Sequence, residues 1–343
     1  MQWYQKKRFL AVVTAFLLVS VLALLANKPP ERGPFLSADT LKQALDLTRF
    51  SGTGKSADVI EGRSCDRIFS DVFNTLTSGY RHCLLERIGT KQAWKELHPA
   101  ISYCLGNALW RLLDVKEFQN RDDTKLAILP PQDIKPQGEF SSCTEITLGI
   151  GRDIEAELLL RKLQPHCHFF GADPIKESGS VFQELGPYYE LAVADKAGVL
   201  TASVLEKGKY KQKNVSTVTL VDFLLHYVNV TKVDYMLIDN EGPEYPLFLQ
   251  LLPGASIEEN NISICQISVE MHTPLKDYGM NTTTFNQLIE SVLSKSSFLP
   301  IWSTLHYHMR SFYVNVGDPY CVGKYFRSKW CGTFEYYRSS AGP

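Results

Sequence analysis

An apolar run, Tyr235 to Ile238, lies between Asp234 and Asp239 in the segment that begins at Val233; Asn240 and Glu241 follow, and Gly242-Pro243 break the chain before Glu244. Uncharged residues bounded by acids read as a buried strand, and carboxylates at the C-terminal end of such a strand stand where open α/β sheets bind ligands. There Asp239 or Glu241 can take a proton from a hydroxyl. Glu244 begins the following helix, whose N-terminus favours a negative side chain, and that is the role assigned to it. Glu270-Met271-His272 should close the next strand. Neighbouring strands of a parallel sheet end side by side, so His272 is expected within reach of Asp239 as base or metal ligand. His306 and His308 precede the last expected strand and read first as ordinary hydrogen-bonding histidines.

Three further segments could hold a ligand. In Thr147-Leu148-Gly149-Ile150-Gly151-Arg152-Asp153 a strand ends in two glycines, which turn tightly and let a ligand approach the backbone. A third glycine is missing and no Gly-Lys-Ser/Thr follows, so neither the dinucleotide fingerprint nor a P-loop is met. Asp173, in Phe170-Gly171-Ala172-Asp173-Pro174, lies about 20 residues further on, where an acid accepts hydrogen bonds from ribose hydroxyls; capping the next helix is the plain alternative. In Leu191-Ala192-Val193-Ala194-Asp195 small side chains leave a slot for a flat base, with Asp195 at its edge.

These segments need a scaffold. Short apolar runs alternate with helical patterns, which predicts a parallel sheet of βαβ units. Strands are expected at Glu145-Gly149, His168-Ala172, Tyr189-Ala192, Val233-Ile238, Ile262-Val269 and Ser311-Val316. Helices are expected at Ile154-Leu163, Glu177-Leu185, Leu220-His226, Tyr245-Leu252 and Thr284-Leu293. Upstream, apolar residues recur at helical spacing from Cys65 to about Phe118, with Trp94 and Trp110 read as core. Gln119 to Phe140 is polar and proline-broken, and reads as a connector. The expected organisation is a cytosolic tail (1–8), a transmembrane signal anchor (9–26), a stem (27–62), a helical region (63–140), a ligand-binding α/β domain (141–320) and a C-terminal tail (321–343).

The order of glycine turn, Phe-Gly-Ala-Asp-Pro, Ala-Val-Ala-Asp and above all Ile238-Asp239-Asn240-Glu241-Gly242-Pro243-Glu244 resembles the FkbM-type methyltransferases, whose hallmark is an I-D-x-E-G-x-E segment. The resemblance runs from about Thr144 to Val316. It implies a Rossmann-like class I sheet and an S-adenosylmethionine-dependent enzyme, typically an O-methyltransferase. Gly149 and Gly151 would then lie at the cofactor turn, Asp173 at the ribose and Asp195 near the adenine, with Asp239 and Glu241 facing the transfer cleft. Arg152-Asp153 stand where the family usually carries a further glycine or asparagine.

The ends of the chain suggest an address. Lys6-Lys7-Arg8 precede the uncharged run from Phe9 to Ala26, a length near the lower limit for a bilayer span, and the basic flank places Met1 in the cytosol. A cleaved signal peptide is the alternative. The chain has eight cysteines, an even number compatible with disulfides in an oxidising lumen, with Cys83 and Cys104 a candidate staple. No C-x-x-C spacing occurs, so zinc is not indicated, and no metal set is assigned. Sequons start at Asn214, Asn229, Asn261 and Asn281. Two of them precede strands and so belong to the sheet edge away from the expected ligand. A formal charge of −1 leaves no electrostatic grip on nucleic acid. The expectation is therefore a type II membrane protein of the Golgi or endoplasmic reticulum that methylates a glycan or other lumenal acceptor. A catalytically inactive lumenal scaffold is the main rival. A glycosyltransferase would need a D-x-D segment, which the chain lacks.

Overall fold

The computed structural model describes residues 65–89, 92–113, 115–121, 123–131, 138–206, 209–273 and 279–329. The expected anchor and stem, and Cys331, lie outside the described residues, and no described helix is long and apolar enough to cross a membrane.

Two helices, α1 (Cys65–Ile88) and α2 (Ala93–Leu113), lead into a hairpin of β1 (Val115–Gln119) and β2 (Thr124–Ile128). Then come β3 (Thr144–Leu148), α3 (Glu155–Leu163), β4 (His168–Ala172), α4 (Lys176–Gly179), β5 (Tyr188–Tyr189), β6 (Ala192–Ala194), β7 (Gly198–Glu206) and β8 (Lys209–Thr219). The chain continues through α5 (Leu220–Asp222), which runs into a π-helical turn, to β9 (Lys232–Val233), β10 (Tyr235–Ile238), α6 (Glu244–Leu249), α7 (Ser256–Glu259), β11 (Ser263–Ile264) and β12 (Gln266–Met271). It ends with α8 (Thr282–Lys295), β13 (Phe298–Leu305), β14 (Met309–Asn315) and α9 (Pro319–Val322), also extended by a π-helical turn.

The main sheet has seven strands in the order β13-β14-β12-β10-β3-β4-β5. From β3 the chain steps through β4 to β5 on one side, then returns through β10 to β12 on the other. The direction of winding therefore reverses between β3 and β10, the switch point at which doubly wound sheets open a crevice. Both strands are buried along their whole length, as expected for strands covered on both faces. This is the Rossmann-like arrangement, with one correction to the all-parallel expectation. The strands β13 and β14 form an antiparallel hairpin, and β14 runs antiparallel to β12.

Other departures have local causes. The expected third strand splits at Glu190-Leu191: β5 stays in the main sheet, whereas β6 pairs with β8 in a smaller sheet of β6, β8 and β7. The β7–β8 hairpin lies outside the expected strands, although two runs with Val and Thr at alternate positions around Gly208 are its signal in the sequence. The stretch read as a connector contains β2, so the region 63–140 is not wholly helical. This hairpin covers the sheet because Gln266, at the start of β12, accepts from the Ile128 N–H at 2.6 Å and donates to the Ile128 carbonyl at 3.0 Å. Its tip reaches further: the Asn120 side chain accepts the Ala156 N–H at 2.7 Å. The first turn of α3 is thus capped from another element.

The helical region is anchored rather than appended. Cys83–Cys104 joins α1 to α2, Tyr80 donates to the Pro300 carbonyl on β13, and Trp94 meets Phe285 of α8 edge-on. Helix α8 buries Phe285, Leu288, Ile289, Val292 and Leu293, an i, i+3, i+4, i+7, i+8 stripe, behind an Asn281 capping box. Residues 321–329, expected to begin a tail, are helical, and Tyr325 and Phe326 are buried. Cys321 is bonded to Cys265, and Cys143 to Cys167.

Candidate active site

Gly149 directly follows β3 with φ +81°, and a Cβ there would lie 1.9 Å from the Asp239 carbonyl oxygen. Only glycine allows the first turn and the end of β10 to meet this closely. The Asp239 N–H continues the ladder to the Leu148 carbonyl at 2.8 Å, so Asp239 is placed by backbone pairing at the switch point. Beyond it Glu241 adopts φ +57°, an uncommon left-handed conformation for a non-glycine residue.

Glu244 holds this bend. Its side chain is fully buried and accepts the Asn240 N–H at 2.8 Å, the Gly242 N–H at 2.7 Å and the His272 Nδ1 proton at 3.0 Å. It does sit in the first turn of α6, but its carboxylate is spent on the bend and the histidine rather than on the helix N-terminus alone. With Nδ1 tied to Glu244, His272 presents Nε2 to Glu241 at 3.0 Å and to Asp239 at 3.7 Å. Asp239, Glu241 and His272 are therefore brought together, as the order of strand ends required.

Their protonation differs. Burial opposes charge on His272, but the hydrogen-bonded Glu241 and Glu244 outweigh it and push the imidazole up to about 11. At neutral pH it is a cationic donor, not a base. Burial pushes the Asp239 carboxyl up to about 7, with Lys125 opposing and Glu270 adding repulsion. Since 39 % of that side chain remains open, water at the cleft offsets part of the rise. Asp239 is the group whose affinity for a proton suits a general base near neutrality.

Further charged residues, from outside the expected motifs, surround these groups. Lys125, from the hairpin, is buried and paired with Asp123 at 2.5 Å; burial disfavours its charge, but Asp123 and Asp239 more than restore it. Glu270 is paired with Arg310 at 2.7 Å. The His308 ring lies 4.3 Å from that of His272, tilted by 49°, whereas His306 is exposed. No spacing rule links Lys125 to Asp239, 114 positions away in the numbering; only the folding of the hairpin over the sheet does.

At the glycine turn, Asp173 accepts from the Ile150 N–H at 3.0 Å and the Gly151 N–H at 3.2 Å with one oxygen. Its other oxygen accepts from the Ile175 N–H at 2.7 Å and the Ser178 hydroxyl at 3.1 Å. It ties the turn to the next helix. A Cβ on Gly151 would meet nothing within 4 Å, so the turn faces open space. Asp195 is exposed beyond β6, away from the main sheet. The Asn240 side chain reaches β6 itself, where it donates to the Val193 carbonyl at 3.2 Å.

The methyltransferase FkbM domain model matches residues 112–317, more than half of the chain. The chain belongs to the FkbM methyltransferase family. No curated protein and no solved structure matches it. The matched span starts at the end of α2 and closes after β14, so it takes in the β1–β2 hairpin, the main sheet and all the residues around Asp239. Within the FkbM domain the I-D-x-E-G-x-E segment thus supplies a strand end, two cleft carboxylates and, in its last glutamate, the group that shapes the bend.

Proposed function

We propose that this FkbM protein transfers a methyl group from S-adenosylmethionine to a hydroxyl oxygen, with Asp239 as the base. The observation that carries this reading is the contact of Gly149 with the Asp239 backbone at the switch point, which brings the cofactor turn and an acid of suitable proton affinity to one crevice. When bound, the sulfonium cofactor supplies an electrophilic methyl. Gly151 leaves room beside the turn, and small residues at the end of β6 suit a flat base. The acceptor hydroxyl gives its proton to Asp239 as its oxygen takes the methyl; Glu241 and the cationic His272 orient the acceptor. We infer further a type II topology, with residues 9–26 as the anchor and the domain in the Golgi or endoplasmic-reticulum lumen, and a glycan or other lumenal acceptor. The basic flank, the apolar run, the sequons and the described disulfides support that address.

One observation favours a second reading, a binding protein that keeps the fold without catalysis. The Asp173 carboxylate already accepts four hydrogen bonds, about its full capacity, so ribose hydroxyls must displace one. Calorimetric titration of the detergent-solubilised full chain with S-adenosylmethionine separates the two. Saturable binding that weakens at least tenfold in Asp173→Ala is expected; no binding by the wild type would leave only the second reading.

A further inference from the structure

We infer that Arg152 anchors the carboxylate at the methionine end of S-adenosylmethionine. The turn from Ile150 to Asp153 carries the argument. It closes through the Asp153 N–H to the Ile150 carbonyl at 3.3 Å, and both central residues, Gly151 (φ +62°) and Arg152 (φ +74°), are left-handed, as in a type I′ turn. Glycine or asparagine would take the second of these positions with little strain, whereas an arginine rarely does. The flanks hold it there. One Asp173 oxygen accepts the N–H groups of Ile150 and Gly151, while Asp153 accepts the Arg121 N–H at 2.8 Å and the Glu155 N–H at 3.1 Å. Arg152 therefore stands out, exposed, from a turn pinned on both sides.

Its charge is also unspent. Lys125 is paired with Asp123, Arg310 with Glu270 and Arg121 with Glu155, and His272 lies between Glu241 and Glu244. Arg152 makes no hydrogen bond or ion pair with any of the described residues. The ligand supplies the counterpart. Its sulfonium and ammonium groups suit the half-open Asp239 and Glu241, but those acids repel its carboxylate, which needs a cation. A guanidinium matches a carboxylate with two parallel hydrogen bonds. Gly149, three residues before Arg152, meets the Asp239 backbone, so the turn and the acids border one crevice. A phosphate fits less well. The N-terminus of α3, where dinucleotide phosphates would dock, is closed by Asn120 on the Ala156 N–H and flanked by Asp153 and Glu155. The inference rests on the cofactor reading proposed above.

The test is calorimetric titration of the detergent-solubilised full chain with S-adenosylmethionine and with its decarboxylated form. In the wild type the carboxylate should tighten binding about 10–100-fold, as charge-assisted hydrogen bonds do. Arg152→Gly removes the guanidinium and suits the left-handed backbone, so its melting temperature should stay within about 3 °C of the wild type. In that variant the two ligands should bind within about threefold of each other, with the decarboxylated form bound as it is by the wild type. Arg152→Lys keeps the charge without the fork, and its preference for the carboxylate should fall between the two. Equal affinity of the wild type for both ligands, an unchanged preference in Arg152→Gly, or equal weakening of both ligands in that variant overturns the anchor and leaves the cofactor reading intact. No binding of either ligand by the wild type overturns the cofactor reading and the anchor with it. Tighter binding of ADP than of S-adenosylmethionine, lost in Arg152→Gly, would give the guanidinium to a phosphate and overturn the inference too.

Discussion

Beneath the cleft, two buried acids share a single hydroxyl. The Thr147 Oγ1 lies 2.7 Å from a Glu145 oxygen and 3.0 Å from a Glu157 oxygen, yet it has one proton to give. Burial, and for Glu145 the adjacent Glu157, hold both carboxyls above the usual range. A carboxyl whose pKa is raised by folding binds its proton more tightly in the folded chain. Its contribution is therefore intact below the unfolded value of about 4.3 and is lost as pH rises through the folded value. Glu145→Gln keeps the shape and removes one titration. The melting temperature of the variant should exceed that of the wild type, and by more at about pH 8 than at about pH 5. An advantage that shrinks toward alkaline pH would contradict the shared-proton account.

At the scale of elements, the C-terminal helix is a lock on the central sheet. Asp234, between β9 and β10, accepts the Thr144 N–H at 2.9 Å, the Lys324 ammonium at 2.5 Å and the Tyr325 hydroxyl at 2.6 Å. Its side chain is fully buried and that of Lys324 nearly so; burial lowers the lysine pKa, and Asp234 opposes the fall. Asp234→Asn leaves an ammonium buried without its counter-charge, and breaking such a pair costs about 3–5 kcal/mol. Urea denaturation should show that loss with an unchanged slope. Asp234 precedes β10, at the end of the strand opposite to Asp239, and belongs to stability. The same distinction explains Asn229 and Asn261, which precede β9 and β11 at that far end and are exposed.

At the scale of the whole molecule, the three described disulfides close loops in different parts of the fold. Cys265–Cys321 spans 56 residues and ties β12 to the C-terminal helix. Chain entropy assigns a loop of that size about 4 kcal/mol. Replacing both cysteines by serine should lower the unfolding free energy by about that amount and leave the β1–β2 hairpin protected from hydrogen exchange. A loss below about 1 kcal/mol would mean that the helix is held by Asp234 and packing alone.

What residue order determined by itself is local. The uncharged β10, the stripe of α8, the glycine at the first turn and the acids after Ile238 are legible because periodicity and turn chemistry act over a few residues. The order of strand ends also placed Asp239, Glu241 and His272 at one crevice. The rest depended on contacts between distant segments. Whether β6 joined the main sheet, that β13 paired back on β14, and that a polar connector became a covering strand were decided by which hydrogen-bonding edges and apolar faces the fold left to fill. The roles of the acids were decided in the same way. Glu244 became the orienting group and Asp173 the tie of the turn, because burial leaves a carboxylate no water and it must take whichever donors the tertiary structure brings to it.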